Sequence, residues 1–185
     1  MGVEERPWVE ITSRAQWRAW LKANHARETG VWVVTYKKHC GDRHVRWPDV
    51  VQECLCFGWI DSQTKRVDDE RVRVLATPRK PGSIWSAVNK KHIAELGAKG
   101  LITPAGQALI DAAIADGSWT FLDDIDALVV PEDLARALAD AEATSRWEAI
   151  SASERKRHLY AIKVAKRPPT RSKRIAEAVA ATRDR

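Results

Sequence analysis

The stretch Leu55-Cys56-Phe57-Gly58-Trp59-Ile60-Asp61-Ser62 marks a change of secondary structure. Upstream of it, Pro48 opens an apolar segment, and proline is favoured at the first position of a helix. Gly58 is typical of a helix end. Trp59 and Ile60 then begin a segment that reads as a strand. The sequence therefore predicts a helix that ends at Gly58 and a strand that follows it directly.

Elements on both sides of this junction predict a small sheet packed on helices. Residues 31–38 are rich in β-branched and aromatic side chains, which predicts a strand. Residues 71–77 alternate arginine with valine after a polar turn at Asp68 and Asp69, as a half-exposed strand does. Ser13 and Gln16 stand at capping-box spacing before an apolar helix face. The N-terminal part is thus predicted to be a mixed α/β domain.

From Ser83 onward the pattern predicts helices. Ser83 is predicted to cap a helix that places Trp85, Asn89 and His92 along one face. Four later helix starts are predicted from capping residues or prolines: Thr103, Pro131, Ser151 and Thr170. The predicted fold class is α+β, with a mixed domain at residues 1–117, an acidic connector at 118–130 and a basic helical module at 131–185.

Charge is distributed unevenly along the chain. The net charge is +6, yet residues 155–185 hold eleven Lys or Arg against two acids, which makes +9 there and leaves −3 elsewhere. Such asymmetry indicates an anionic partner or an acidic surface on which the basic segment docks. Six basic residues are the candidates for contacts with nucleic-acid phosphates: Lys163, Lys166, Arg167, Arg171, Lys173 and Arg174. No nucleic-acid recognition motif accompanies them, so docking on the acidic residues 123–126 is the favoured alternative. An interaction module that binds a protein or nucleic acid through the basic C-terminal helices is a third functional hypothesis.

Composition bears on the compartment. No apolar run reaches the ~18–20 residues that span a bilayer, so we expect no membrane insertion. The first residues lack the apolar segment of a secretory signal. The cysteine count, three, is odd, whereas disulfide frameworks favour even counts in secreted chains. We therefore expect a cytoplasmic protein.

Three groups of short motifs run along nearly the whole chain. The first is residues 55–62 followed by Lys65-Arg66 and Asp68-Asp69-Glu70. The second is Thr77-Pro78-Arg79, Ser83-Ile84-Trp85-Ser86, Asn89, Gly100 and Thr103-Pro104-Ala105-Gly106. The third is residues 165–175. Together they resemble the YdeI/OmpD-associated bacterial family, also described as bacteriocin-protection proteins. The resemblance implies a mixed N-terminal domain, a helical C-terminal module and a link to tolerance of antimicrobial peptides or similar toxic compounds, but no reaction.

The two central motifs predict a ligand pocket where the strand after Gly58 approaches the helix predicted at Ser83. Guanidinium and ammonium groups would hold an anionic group, indoles would form apolar walls, and the remaining polar side chains would orient the ligand. The predicted ligand-binding residues are Trp59, Asp61, Lys65, Arg66, Arg79, Trp85, Asn89 and His92. The structural alternative is that the tryptophans are core and that Asp61 pairs with Arg66 or Arg79. The preferred hypothesis is a non-catalytic protein that sequesters a small molecule or peptide.

An enzyme is the alternative from another class. Asp61 and His92 would act as an acid–base pair, with Ser86 or Cys56 as nucleophile. No hydrolase, phosphate-loop or dinucleotide motif is present, so we predict neither a catalytic residue nor a cofactor.

A zinc site is the last alternative, suggested by a cluster of potential ligands: His39, Cys40, His44, Cys54 and Cys56. Adjacent residues on a strand face opposite sides, and residues two apart on a helix lie about 200° apart. These spacings do not suit one tetrahedral ion, so we predict no metal.

Overall fold

A computed structural model describes residues 2–182 of the protein. The chain divides into two compact units, Met1–Thr120 and Phe121–Arg185, here called the N-terminal and C-terminal units. The N-terminal unit combines a sheet with helices, and the C-terminal unit consists of helices in its described part. The predicted α+β fold class is confirmed. Arg183, Asp184 and Arg185 of the basic segment lie outside the described residues.

The N-terminal unit begins with a short 3-10 helix, Val3–Glu5, and contains a second one at Lys38–Arg43. The other elements follow in the order β1 (Trp8–Glu10), α1 (Arg14–Asn24), β2 (Val31–Tyr36), α2 (Trp47–Cys56), β3 (Trp59–Arg66), β4 (Arg71–Pro78), α3 (Ala87–Ala98) and α4 (Pro104–Asp116). The strands form one sheet in the order β1-β2-β4-β3, with β1 parallel to β2 and the other pairs antiparallel. In the β3–β4 hairpin Trp59 faces Pro78, and the register shifts between Asp61 and Thr64.

One face of the sheet packs on the helices and forms the core. Val31, Val33 and Ala76 lie in this core together with Trp17 and Leu21 of α1, which are fully buried as their helical spacing predicts. Because side chains alternate along a strand, Trp32 and Leu75, which pair across β2 and β4, lie on the opposite face. The sheet therefore has a helix-covered face and an outer face.

Capping residues set most helix starts as predicted. The hydroxyl oxygens of Ser13, Thr103 and Ser151 each accept a hydrogen bond from a backbone N–H of the first turn. Side chains with such an oxygen satisfy donors that the helix itself cannot pair.

Two predicted starts are wrong. The hydroxyl of Ser83 donates to Lys80 O over 2.6 Å, and α3 is capped instead by Ser86, whose oxygen accepts from Asn89 N. The carbonyls of residues 83 and 84 accept hydrogen bonds from the guanidinium of Arg79, and both residues lie before the start of α3. The last helix begins at Pro168 rather than after Thr170, because proline needs no N–H partner at a first-turn position.

The C-terminal unit contains α5 (Asp123–Asp126), α6 (Glu132–Asp140), α7 (Thr144–Ala149), α8 (Ala152–Lys163) and α9 (Pro168–Ala180). Its core is separate from the first and is built on these buried side chains: Ile125, Leu134, Leu138, Ala143, Trp147, Ile150, Leu159, Ile162, Ala178 and Val179. Ile125 lies within the predicted 118–130 connector and packs in this core.

Basic residues of α8 dock on the acidic α5, as the favoured alternative predicts. Lys156 Nζ lies 2.8 Å from Asp126 Oδ1, and Lys163 Nζ lies 2.6 Å from Asp124 Oδ1. Part of the charge asymmetry is therefore balanced within this unit. None of the helices in residues 2–182 has the length and apolar composition to cross a membrane.

Candidate functional site

The junction at Gly58 brings two of the sequence motifs together. Gly58 has a φ of +72°, a conformation that favours glycine, and its carbonyl accepts from Arg79 N over 2.9 Å. The preceding Cys56 carbonyl accepts from both the backbone N and the hydroxyl of Thr103, at 3.0 and 2.7 Å. A Cβ on Gly106 would collide with that same carbonyl. The end of α2 thus positions both Arg79 and the start of α4.

Arg79 is the distinctive side chain at this junction. It is only 5% exposed, and its Cζ lies 3.7 Å from the ring centroid of Trp85. Its Nη1 donates to Ser83 O and Ile84 O, at 3.5 and 3.3 Å. Its Nε and Nη2 are buried and have no hydrogen-bond partner. These two nitrogens form one edge of the guanidinium, and such an edge binds the two oxygens of a carboxylate or phosphate.

The charge of Arg79 is poorly balanced. Burial lowers the pKa of Arg79 to about 10, against an opposing effect of the nearby Asp61 carboxylate. Burial also raises the pKa of Asp61, although its own backbone N–H and the charge of Arg79 act in the other direction. Asp61 accepts no hydrogen bond from the two unpaired nitrogens. Arg79 is therefore a buried cation at neutral pH without a directly bound anion.

Arg79 lines an open groove of about 570 Å³ at the Trp59/Pro78 end of the hairpin. The groove has apolar walls, three cationic side chains and one acid. These lining residues are Ile60, Leu75 and Pro78; Arg6, Arg79 and Lys80; and Glu28. Arg79 also lines a second hollow of about 10 Å³ beside Trp85, which has room for roughly one water molecule. The combination of apolar walls and a few convergent charges is typical of a small-molecule site.

Of the predicted site residues, the structure brings Arg79, Trp85 and Asp61 together but seals both tryptophans. Trp59 is 1% exposed, and its Nε1 donates to His25 O on the α1 side of the sheet. Trp85 is 2% exposed between Arg79 and Trp119. The prediction that these indoles form water-accessible walls is wrong, because both belong to the core, as the structural alternative proposes. The ion pair of that alternative, between Asp61 and either Arg66 or Arg79, is not formed.

Lys65 and Arg66 do not converge with Arg79, which corrects that prediction. β3 continues past Ser62 to Arg66, so both residues lie at the far end of the strand. Lys65 pairs with Glu4 and lies over the ring of Trp32, while Arg66 pairs with Asp69.

Asn89 and His92 do not share a face with Trp85, because α3 begins after Ser86. His92 Nδ1 lies 3.1 Å from Gln52 Nε2 of α2 and 3.8 Å from Glu95 Oε2. Its hydrogen bonds and ion pairs do not include Asp61, so the acid–base pair of the enzyme alternative is not assembled.

The proposed nucleophiles have other roles. The hydroxyl of Ser86 caps α3, and burial raises the pKa of the Cys56 thiol despite the opposing effect of Arg18. Thiolate character is thereby suppressed at Cys56. Within residues 2–182 no three His, Cys, Asp or Glu side chains are grouped so that they could hold a metal ion.

Sequence reasoning missed the groove walls and one buried acid. Ile60 and Leu75 alternate with core residues, and only the pairing of β3 with β4 reveals that they share the outer face. Glu53 is 2% exposed and is bound by Arg14 and Arg18 over 2.6 and 2.7 Å. Its position inside an apolar helix run was the available signal, since a buried acid requires a cationic partner.

Two known families match different parts of the chain, one in each of the two units. Residues 9–109 match the family described as domain of unknown function DUF8412. Residues 127–185 match the family described as bacteriocin-protection, YdeI or OmpD-associated. No curated protein and no solved structure matches the chain. The resemblance inferred from the motifs is confirmed for the C-terminal part. Arg79 and its groove, except for Arg6, lie within the residues that match the family of unknown function.

Proposed function

We propose that the chain, a member of the DUF8412 family whose C-terminal part matches the bacteriocin-protection, YdeI or OmpD-associated family, sequesters a toxic small molecule or peptide. The ligand carries a carboxylate or phosphate on an apolar body. Sequestration would provide tolerance to antimicrobial peptides or similar compounds, in keeping with the description of the second family. The N-terminal unit supplies the binding groove.

The unpaired edge of Arg79 carries this proposal. More than nine in ten buried polar groups of native proteins have a hydrogen-bond partner. Leaving a buried donor unpaired costs about 1–3 kcal/mol, and more for a charged group. Arg79 Nε and Nη2 are two such donors on one charged group. An anion with two oxygens would satisfy both at once and would gain the strength of charge-assisted hydrogen bonds.

The rest of the groove supports an amphiphilic anion. Ile60, Leu75 and Pro78 provide apolar area, and Arg6 and Lys80 add positive charge around Arg79. The volume of about 570 Å³ falls within the usual range for small-ligand sites. We place this activity in the cytoplasm as part of the proposal, because Cys40, Cys54 and Cys56 are free thiols, which persist in reducing compartments.

Calorimetric titration of the full chain tests the proposal. The panel comprises medium-chain carboxylates, aryl phosphates and antimicrobial peptides with a free C-terminal carboxylate. We expect saturable binding of at least one anion, and a loss of roughly 100-fold or more in Arg79→Gln, because removing one partner of a buried charge pair costs several kcal/mol.

Arg66→Gln is the matched control. It removes an arginine from the same hairpin, but one that is exposed and paired outside the groove. Affinity should stay within about twofold of the wild type in this variant, as expected for an exposed surface pair. Equal losses in both variants, or no saturable binding across the panel, would refute a specific site at Arg79.

A further inference from the structure

The C-terminal unit contains a cavity of its own, of about 240 Å³, which lies beside α6, α7 and the start of α8. Most of its wall is apolar, and the polar part comes from three side chains on α7 and α8. Its apolar part includes Leu128, Val130 and Leu138, and Trp147, Glu148 and Arg155 also line it. This cavity is smaller than the ~300–1,000 Å³ of sites for drug-sized ligands, so it suits a single side chain or a fragment.

Two residues that line this cavity each carry a buried hydrogen-bond donor without a partner. These donors are the indole Nε1 of Trp147, a residue that is only 2% exposed, and the guanidinium Nε of Arg155. Both groups can only donate, so the missing partner must be an acceptor. Because buried donors are rarely left unpaired, an oxygen atom is expected to reach them in the occupied state.

The wall is held in place around these donors. The ring of Trp147 packs edge-on against His158, with the centroids 6.1 Å apart. Leu128 has a φ of +57°, which is unfavourable for a leucine and costs roughly 1–3 kcal/mol. This conformation closes the end of α5, where Leu128 N donates to Ile125 O and Val129 N donates to Asp124 O, at 3.0 and 2.8 Å, so the helix end fixes this part of the wall.

From these contacts we infer that the cavity binds one apolar side chain of a peptide together with the carbonyl oxygen of its peptide bond. Leu128, Val130 and Leu138 surround the apolar group, and the carbonyl accepts from Trp147 Nε1 and Arg155 Nε. The carboxylate of Glu148, at the same cavity, provides an acceptor for a peptide N–H.

The tryptophan indole resonances of the ¹⁵N-labelled full chain provide the test. The protein has nine tryptophans, and Trp147→Phe assigns the resonance of Trp147. N-acetyl-phenylalaninamide is the probe, and toluene is the matched probe that fills an apolar cavity without offering an oxygen. We expect a saturable downfield shift of the Trp147 indole proton with the amide and no comparable shift with toluene.

Affinity is followed in the variants through the methyl resonances of Leu138. Trp147→Phe and Arg155→Lys should each weaken amide binding about tenfold, as expected for one lost hydrogen bond to a buried donor. Toluene binding should be unchanged in Arg155→Lys and should not weaken in Trp147→Phe, because the smaller ring enlarges the apolar cavity. Arg146→Lys changes an exposed arginine of the same helix α7 and should bind as the wild type does. An unmoved Trp147 resonance at the solubility limit of the amide, or unaltered amide affinity in both donor variants, would overturn the inference.

Discussion

Arg79 of the N-terminal unit and Arg171 of the C-terminal unit differ in how their guanidinium groups are hydrogen-bonded. Arg171 binds Asp133 through Nε and Nη2, at 2.6 and 3.0 Å, and donates from Nη1 to Ile162 O at 2.9 Å. Arg79 uses only Nη1, and its Nε and Nη2, the pair that Arg171 gives to a carboxylate, have no hydrogen-bond partner. The pKa values move accordingly: hydrogen bonding to Asp133 raises the pKa of Arg171, and burial lowers that of Arg79 to about 10.

This difference separates an arginine whose contacts are complete from one that a ligand would pair under the proposed function. A bidentate carboxylate already completes the contacts of Arg171, so a ligand has nothing to add. At Arg79 the charge is buried without such a pair, which is unfavourable in the ligand-free protein. The predictions that follow test whether pairing, rather than the arginine itself, determines the effect of a substitution.

The largest expected effect is at Glu53, the buried acid that pairs two arginines in the same unit as Arg79. Glu53→Ala leaves Arg14 and Arg18 without their common partner. We expect the free energy of unfolding to fall by about 3 kcal/mol, the lower end of the range for broken buried pairs, since both arginines are about one third exposed. Urea denaturation measures it. Glu95→Ala, on the exposed side of α3, is the control and should lower the free energy of unfolding by under about 0.5 kcal/mol. An equally small loss in Glu53→Ala would contradict the idea that pairing determines the effect of a substitution.

Arg171→Met tests the paired arginine directly. It removes the bidentate contact and leaves Asp133 without its cation, so we expect the C-terminal unit to lose about 1–2 kcal/mol. This figure is modest because the pair is partly exposed and screened by solvent. Hydrogen exchange of amides in α6 and α9 measures this local loss of stability. Lys166→Met, an exposed change on the same segment, serves as the control, and faster exchange in both variants would show a general effect of lost charge.

Arg79→Met, unlike Arg171→Met, should not lower the free energy of unfolding. Methionine fills a similar apolar volume and removes a buried charge whose edge is unpaired, so the free energy of unfolding without ligand should stay unchanged or rise by about 1 kcal/mol. Thermal and urea denaturation of the ligand-free protein measure this effect. A loss above about 1 kcal/mol would mean that the stacking on Trp85 and the two carbonyl contacts make Arg79 structural.

Local signals in the sequence predict the elements better than they predict the site. The helix end at Gly58, the caps at Ser13 and Thr103 and the hairpin turn at Asp68 depend on neighbours a few residues away, and the structure forms them as expected. The start of α3 was missed because Ser83 and Ser86 are equally good caps in isolation. Only the contact of Arg79 with the carbonyls before Ser86 decides between them.

Burial explains the other failures at the site. Two tryptophans beside polar residues suggest the walls of a pocket, but whether an indole faces the core or a groove depends on which face of the hairpin it occupies. Trp59 shares the helix-covered face with Ala76, whereas Ile60 and Thr77 line the groove. Motif spacing does not encode this choice, because a strand presents neighbouring residues to opposite sides.

The smallest expected effect is a pH dependence of opposite sign at Asp133 and Asp61. Hydrogen bonding to Arg171 lowers the pKa of Asp133, so its contribution to stability is present above about pH 4 and is lost as the pH falls through the lowered folded pKa. Burial raises the pKa of Asp61, so protonation in the folded state begins above the unfolded pKa, and stability is gained as the pH falls through the raised value. Asp61→Asn should therefore remove a small gain in stability of the N-terminal unit between pH 7 and 4, measured by urea denaturation at each pH.

Because the same substitution removes a negative charge beside Arg79, it should also tighten binding of an anion, which a role of Asp61 as a catalytic base would not predict.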